Sequence, residues 1–170
     1  MKAHRQLTFI ILLSGILCAC SISYSFTGSS IDYETTKTIT ISDFPNQAPL
    51  VSPPLAQKFT EELKDLFIRR TKLQMISANG DIALEGEITG YDLAPMAIKE
   101  DAYSSMTKLT LTIRVRYANR ATPDKDFEQS FSANREFNSD QILELVQDEL
   151  NAELVKEITE QIFNSTVADW

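Results

Sequence analysis

The residues of this chain whose chemistry is most clearly defined are two cysteines near its start, Cys18 and Cys20. A basic opening with Lys2 and Arg5 precedes them, followed by an apolar run over residues 7–17. This layout is typical of a secretory signal peptide, because the run is too short and wrongly flanked for a membrane-spanning helix. The sequence therefore predicts export, with a cysteine thiol at the cleavage boundary.

The residue before each cysteine decides which thiol is modified. Leu17 precedes Cys18 and is too bulky for a processing site that requires a small side chain, whereas Ala19 precedes Cys20. With Leu17 three places earlier, Cys20 completes a sequence that resembles a lipobox, the motif read in bacterial lipoprotein processing. We expect cleavage before Cys20 and acylation of its sulfur, which anchors the chain to a membrane. Two alternatives stay open: a secreted protein with a free thiol, and an uncleaved anchor.

Cleavage divides the chain into a signal peptide (residues 1–19), a lipidated tether (20–35) and one domain (36–170). It removes His4, the only histidine, together with Cys18, and it moves the formal charge from −8 to −10 because two basic residues are lost. Without histidine or a free thiol, Ser-His, Cys-His and histidine-ligated zinc sites are unavailable. No motif indicates a carboxylate or Ser-Lys mechanism. We expect no enzyme, no metal and no cofactor beyond the lipid on Cys20, and the acidic balance argues against nucleic acid.

A row of basic side chains is the candidate binding feature of the domain. Lys108, Arg114 and Arg116 share one parity in an alternating segment, so they project from one face of a strand. Such a row can contact phosphates, carboxylates or a partner protein, and arginine is suited to bidentate contacts. The alternative is a solvated face on which these residues pair across strands with Glu85 and Glu87.

Hydrophobic periodicity predicts the elements that position these residues. Strict alternation over Met106–Tyr117 is typical of a strand with one buried face. Helical spacing predicts a helix over Leu55–Arg70 with Ser52 as its N-cap. The other predicted strands are Lys37–Phe44, Leu73–Ser77, Ile82–Ile98 and Phe127–Phe137, and a last helix, from about Gln141 to Val167, carries an apolar stripe of Ile142, Leu145, Val146, Leu150, Leu154, Ile158 and Ile162.

This order predicts an α+β fold, a two-layer sandwich with a mixed four- to five-stranded sheet and two helices packed on one face. The first strand-helix-strand unit gives a parallel pair, and the later strands form a meander. Gly86 and Gly90 are expected to mark a bulge or a close approach of another part of the chain. The loop Pro45–Pro54 is either a recognition loop or a connector.

Several segments, taken in order, resemble the LptE family of lipopolysaccharide-assembly lipoproteins. The lipobox is followed by Tyr24-Ser25-Phe26-Thr27-Gly28, and the later matches include Phe44-Pro45-Asn46, Ala48-Pro49-Leu50-Val51, Gly86-Glu87-Ile88-Thr89-Gly90-Tyr91 and the closing Ala168-Asp169-Trp170. The resemblance implies an outer-membrane lipoprotein that faces the periplasm, plugs and supports the LptD β-barrel, and helps to insert lipopolysaccharide into the outer leaflet. It implies LptD as the partner, with lipopolysaccharide as a further one.

Two further considerations bear on location and partner. Ser21, and not Asp, follows Cys20, so the usual inner-membrane retention signal is missing, which favours the outer membrane. The alternative function is a non-catalytic periplasmic assembly lipoprotein that binds a secretion channel or a cell-wall synthase.

Overall fold

The computed structural model describes residues 31–50, 52–96 and 105–167. Cys20, the signal segment and most of the tether lie outside this range, so the lipidation site and the domain boundaries stay predictions. The elements in chain order are β1 (Thr38–Ile41), α1 (Leu55–Arg70), β2 (Gln74–Met75), β3 (Ile82–Pro95), β4 (Met106–Asn119), a short 3-10 turn (Pro123–Lys125), β5 (Phe127–Asn138) and α2 (Leu143–Val167).

The five strands form one mixed sheet in the order β2-β1-β3-β4-β5. β1 runs parallel to both β2 and β3, whereas β3, β4 and β5 form an antiparallel meander. The predicted α+β class, the parallel pair and the meander are confirmed. The predicted strands at Lys37–Phe44 and Leu73–Ser77 are shorter in the structure, because only Thr38–Ile41 and Gln74–Met75 pair as strands.

One face of the sheet forms the core with the two helices. The odd-numbered residues of β4 from Leu109 to Tyr117 are buried, while Arg114 and Arg116 on the other face are exposed. α1 adds Phe59, whose ring meets that of Phe44 edge-on at 5.1 Å between centroids. The alternation of β4 thus separates a buried face from an open one, as its sequence predicts.

The two helices lie side by side and run in the same direction. Lys58 Nζ is 2.8 Å from Asp148 Oδ1, and Arg70 makes a two-pronged contact with Glu160 at 2.7 Å. From the first pair to the second, the chain advances by twelve residues along both helices (58 to 70 and 148 to 160), and only parallel helices advance together in this way. Both helices therefore begin at one end of the sheet, which we call the tip end, and finish at the other, which we call the tether end.

The path of the chain shows which segments meet at each of these two ends. At the tip end β3 finishes and β4 starts, and the Ser139 amide donates to the Ser105 carbonyl just before α2 begins. At the tether end the buried Ile31 enters the domain, and the ring of Tyr33 lies 5.9 Å from Lys72 Nζ. Ile31, near the end of the predicted tether, is part of the apolar core.

A β-bulge in β3 changes which side chains enter the core. Ile88 is opposite Ile113 and Gly90 is opposite Thr112, so Thr89 is the extra residue. Before the bulge the even-numbered Leu84 and Ile88 are buried, and after it Tyr91 is. The predicted irregularity at Gly90 is therefore present, and it places Tyr91 in the interior.

Two sequence predictions about the helices are wrong. Ser52 does not cap α1, because Pro54 occupies the N-cap position, without a side-chain cap. The Ser52 hydroxyl instead accepts a hydrogen bond from Asn151. Ile142 and Leu145 are not part of a buried stripe, because they are 62% and 80% exposed. At the start of α2 it is Leu143 and Val146 that pack against the core, so Ile142 and Leu145 lie on the outer side.

Candidate functional site

The open face of the sheet carries the basic residues predicted as a binding row. Arg114 lies opposite Glu87 on β3, and its Nη1 is 3.4 Å from Glu87 Oε1. Arg116 lies between Glu85 and Glu128 in the sheet, and its Nη2 is 3.2 Å from Glu128 Oε2. The sequence offered cross-strand pairing with Glu85 and Glu87 as the alternative to a binding row. Arg114 does pair with Glu87, whereas Arg116 pairs with Glu128 instead of Glu85.

The three basic residues of the row do not lie close enough together to form one site. Lys108 and Arg114 are six residue steps apart, which corresponds to about 20 Å along β4. Lys108 stands between Ala94 and Glu136. The two arginines instead share a shallow depression over Gly86 with three glutamates, Glu85, Glu87 and Glu128. This cluster carries more acid than base, and its ion pairs are exposed, so each is worth about 0.2–1 kcal/mol. The anionic-ligand role of these three basic residues stays a prediction.

A second polar group lies inside the domain, close to the tip end. Tyr91 is fully buried, and its hydroxyl donates to Asn151 Oδ1 at 2.8 Å and accepts from Gln147 Nε2 at 3.0 Å. Asn151 in turn donates to Ser52 Oγ at 3.3 Å. Burial raises the pKa of the Tyr91 phenol, so the group stays protonated and acts as a hydrogen-bond partner.

This buried polar cluster ties three separate parts of the chain together. Tyr91 comes from β3, Gln147 and Asn151 come from α2, and Ser52 comes from the loop before α1. Sequence analysis assigned a role to only one of the four, Ser52, and that role, the N-cap of α1, was wrong. The available signals were a lone Asn within the apolar stripe of α2 and the bulge that turns Tyr91 inward.

The proline-containing loop between β1 and α1 is attached to the sheet. The Gln47 amide donates to the Ile88 carbonyl, and the Ile88 amide donates to the Pro45 carbonyl, both at 2.9 Å. Phe44 and Ala48 are buried. The first half of the loop thus extends the parallel pairing along β3, which is what a connector does.

At the tether end, Asp81 holds the start of β1 against the start of β3. Its Oδ2 accepts from the Lys37 amide, the Thr38 amide and Thr38 Oγ1 at 2.7–3.0 Å. The amide of Lys37 and the hydroxyl and amide of Thr38 all stabilise the ionised carboxylate, which lowers the pKa of Asp81 below its ordinary value.

The described residues contain no grouping of three or more His, Cys, Asp or Glu side chains that could hold a metal ion. Nor do they include a helix that is both long and apolar enough to cross a membrane. What the described part of the chain presents is two contrasting surfaces on a tightly bonded body, the helix layer and the open, charged face of the sheet. These features define a small α+β domain with one apolar core and an open, charged sheet face.

Comparison with known proteins identifies the family. The chain belongs to the LptE family, described as lipopolysaccharide-assembly, whose model matches residues 36–166. The resemblance noted from the sequence is thereby confirmed. No curated protein matches the chain in sequence.

Solved structures share the fold at low sequence identity. A minor lipoprotein from Acinetobacter baumannii is similar with a TM-score of 0.51 and 14% identity, over 76% of this chain and 93% of that one. A protein from Xanthomonas campestris has a TM-score of 0.52 and 11% identity, with 76% and 84% of the two chains covered. A hypothetical protein from Chlamydia trachomatis has a TM-score of 0.50 and 11% identity, with 77% and 98% covered.

Proposed function

We propose that this protein is a non-catalytic outer-membrane lipoprotein that faces the periplasm and plugs and supports an LptD-like β-barrel, so that lipopolysaccharide is inserted into the outer leaflet. The observation that carries this proposal is the family match over residues 36–166. The match covers every described element, from β1 to nearly the end of α2. The lipopolysaccharide-assembly role is the family's; the plugging of a barrel is the step that we add.

The architecture of the domain supports a role in binding. A plug must stay folded as one body while its outer surfaces contact another protein. Here a single apolar core joins both helices to the sheet. The buried cluster around Tyr91 and Asn151 then ties the loop before α1, the sheet and α2 to one another.

The test is to purify the tagged, full-length lipoprotein from outer membranes in mild detergent and to identify what co-purifies in equal amount. A large β-barrel protein is the expected partner. A secretin or a cell-wall synthase in equal amount would overturn the plug and favour the alternative assembly role. The Cys18→Ala variant is a suitable control, because it changes the signal region without touching the proposed lipid site.

Lipidation of Cys20 is the second part of the proposal. The tether from Cys20 to Ile31 spans eleven residue steps, which is about 36–40 Å when extended. This length lets a domain anchored at the membrane reach a partner beside it. Incorporation of labelled palmitate should be lost in Cys20→Ala and kept in Cys18→Ala. The reverse pattern would contradict the assignment.

A further inference from the structure

The segment just after the proposed lipidation site has the residue pattern of a β-strand. Its apolar residues Ile22, Tyr24 and Phe26 alternate with small hydroxyl residues, which are Ser21, Ser23, Ser25 and Thr27. Strict alternation with β-branched and aromatic side chains at the apolar positions is typical of a strand that has one buried face. No charged residue occurs between Cys20 and Ile31, so docking of this segment would desolvate no charge.

The sheet has an open edge at β2. This strand is the outermost one on its side, and no strand of the described residues lies beyond it. The amides of Gln74 and Ile76 both donate to carbonyls on the β1 side. The backbone N–H and C=O of Met75, which lies between them, therefore point away from β1, as the unpaired groups of an edge strand do.

The chain enters the domain next to this edge. The ring centroid of Tyr33 is 5.9 Å from Lys72 Nζ, and Lys72 comes two residues before β2. Phe26 is five residue steps before the buried Ile31, which corresponds to about 17–18 Å of extended chain, so residues 22–26 can reach the side of β2. Because the chain arrives at the tether end, where β2 starts, this segment would run antiparallel to β2.

Apolar side chains accompany the edge on the helix side. Met75 lies opposite the fully buried Ile39, so its side chain faces the helix layer and packs partly against the core. Ile68 of α1 is 55% exposed and follows Lys64 by one helical turn. Lys64 Nζ is 3.1 Å from Oδ1 of Asp43, just after β1. α2 lies against the other flank of α1, so Ile68 is on the flank that borders β1 and β2.

We propose that residues 22–26 form a sixth strand that pairs antiparallel with the outer edge of β2. The three apolar side chains of this strand then cover Met75 and the flank of α1 that carries Ile68, and its serines join the open face of the sheet. The opposite edge, β5, is four strand spacings away, about 19 Å, and carries the inward-pointing Arg135. The inference concerns this chain alone and does not require a barrel partner.

Docking of this strand determines how the domain sits at the membrane. If Cys20 is acylated as proposed, only Ser21 separates the lipid from the strand. The lipid is then held at the β2 edge, and this side of the domain faces the bilayer. The full reach of the extended tether is available only when the strand is released.

Disulfide formation in cells tests the pairing and its parity in the full chain. Met75→Cys is combined with one further cysteine at an apolar position of the strand or, as a matched control, at a serine position: Ile22→Cys, Tyr24→Cys or Phe26→Cys against Ser23→Cys or Ser25→Cys. Residues that face each other on neighbouring strands have Cβ atoms about 4.5–5.5 Å apart, whereas successive positions point to opposite faces. We expect a disulfide within one chain from at least one apolar position and from neither serine position, with peptide mapping as the readout. Equal linkage from both kinds of position, or from neither, would contradict the inference.

Hydrogen exchange of the purified full-length lipoprotein measures the docked strand without introduced cysteines. The Met75 amide should exchange at least about tenfold faster in the double variant Tyr24→Ser with Phe26→Ser, which lacks the apolar face, than in the unmodified protein. Ser23→Ala with Ser25→Ala is the matched control and should keep the slow exchange. Exchange that is equally fast in the unmodified protein would overturn the inference.

Two further outcomes would assign the edge to another occupant. Disulfides between two chains would indicate a second copy, and slow exchange of Met75 that requires a co-purifying protein would indicate a partner strand. Incorporation of labelled palmitate is measured in every variant. Its loss in all of them would contradict the lipidation of Cys20, whereas normal incorporation with no docking would contradict only the sixth strand.

Discussion

At Gly86 the ring of Phe44 packs against β3 where any other residue would place a Cβ atom. That atom would overlap the carbonyl oxygen of Arg114 and lie 2.5 Å from Phe44 Cε1. We expect Gly86→Ala to lower the free energy of unfolding by about 1–3 kcal/mol, because overpacking forces the backbone or the ring to move. Thermal and urea denaturation of the purified domain measure this.

Gly90 is the matched control for that substitution. At Gly90 an added Cβ meets Thr112 Cβ at 3.2 Å and the movable Asp92 carboxylate at 3.0 Å, with no backbone atom among the nearest three. Gly90→Ala should therefore cost clearly less than Gly86→Ala. Equal losses in the two variants would show that packing of Phe44 on Gly86 is not the cause.

Asp81 links the stability of the strand pairing to pH. Its three accepted hydrogen bonds lower the pKa below the ordinary 3.8, so the folded state binds this proton more weakly than the unfolded chain does. The stabilisation is present above the ordinary pKa and is lost as pH falls below 3.8 through the lowered value. We expect Asp81→Asn to flatten the dependence of unfolding free energy on pH in that acidic range.

The measurement is urea denaturation at a series of acidic pH values. Asp140→Asn serves as the control, because it removes one carboxylate from an exposed loop without removing bonds to β1. An equally flattened curve for the Asp140 variant would argue that overall charge, and not the Asp81 contacts, sets the slope.

Residue-level contacts show where sequence reasoning ends. Alternation in β4 predicted correctly that Arg114 and Arg116 share the open face. It could not decide between Glu85 and Glu128 as the partner of Arg116, because both residues flank it in the sheet. The bond between Asn151 and Ser52 joins residues 99 positions apart, and no local pattern predicts such a pairing.

Among the elements, β5 is the one most open to pairing with other molecules, because it is an edge strand of twelve residues. Arg135 shares the parity of the buried Phe131, Ala133 and Phe137, so it points toward the helix layer. There it contacts Glu157 at 2.7 Å and Glu153 on α2. An inward-pointing charge on an edge strand discourages pairing with other molecules.

This arrangement gives a prediction for Arg135→Met. The substitution keeps an unbranched, flexible side chain but removes the charge, so both the ion pairs with α2 and the protection of the edge are lost. We expect stability to fall by about 1 kcal/mol or less, since these ion pairs are partly exposed. We also expect faster aggregation on prolonged incubation, measured by thioflavin fluorescence and light scattering.

Arg114→Met is the comparison for the aggregation assay. Arg114 is also an arginine in an exposed ion pair, but β4 is paired on both sides. Aggregation that increased equally in both variants would point to a general loss of charge and would remove the special role of the edge.

Element boundaries followed from the sequence where a local signal marks them. α1 begins and ends at the predicted residues, because prolines precede it and its apolar spacing stops at Arg70. The exposure of Ile142 and Leu145 was missed because four apolar residues are crowded at the start of α2, over residues 142–146. Their spacing alone did not show that Leu143 and Val146 are the ones that pack against the core.

On the scale of the whole molecule, the proposed role predicts a permeability defect. If lipopolysaccharide export depends on this protein, depletion should leave the outer leaflet incomplete and admit large hydrophobic antibiotics. We expect the minimal inhibitory concentration of such compounds to fall on depletion, with small polar antibiotics as the control. Complementation by Cys18→Ala should restore resistance, and unchanged sensitivity on full depletion would contradict the proposal.

The extra residue in β3 makes this strand one residue longer than the stretch of β4 with which it pairs. Deleting Thr89 would leave Ile88 opposite Ile113 and Gly90 opposite Thr112, so Tyr91 would keep its place in the interior. A one-residue deletion elsewhere in the paired part of β3 would instead exchange inside and outside for the residues on one side of it. Among related chains we therefore expect a one-residue gap to be tolerated between Ile88 and Gly90 and not elsewhere in β3, which makes this position the natural place for a gap when diverged relatives are aligned.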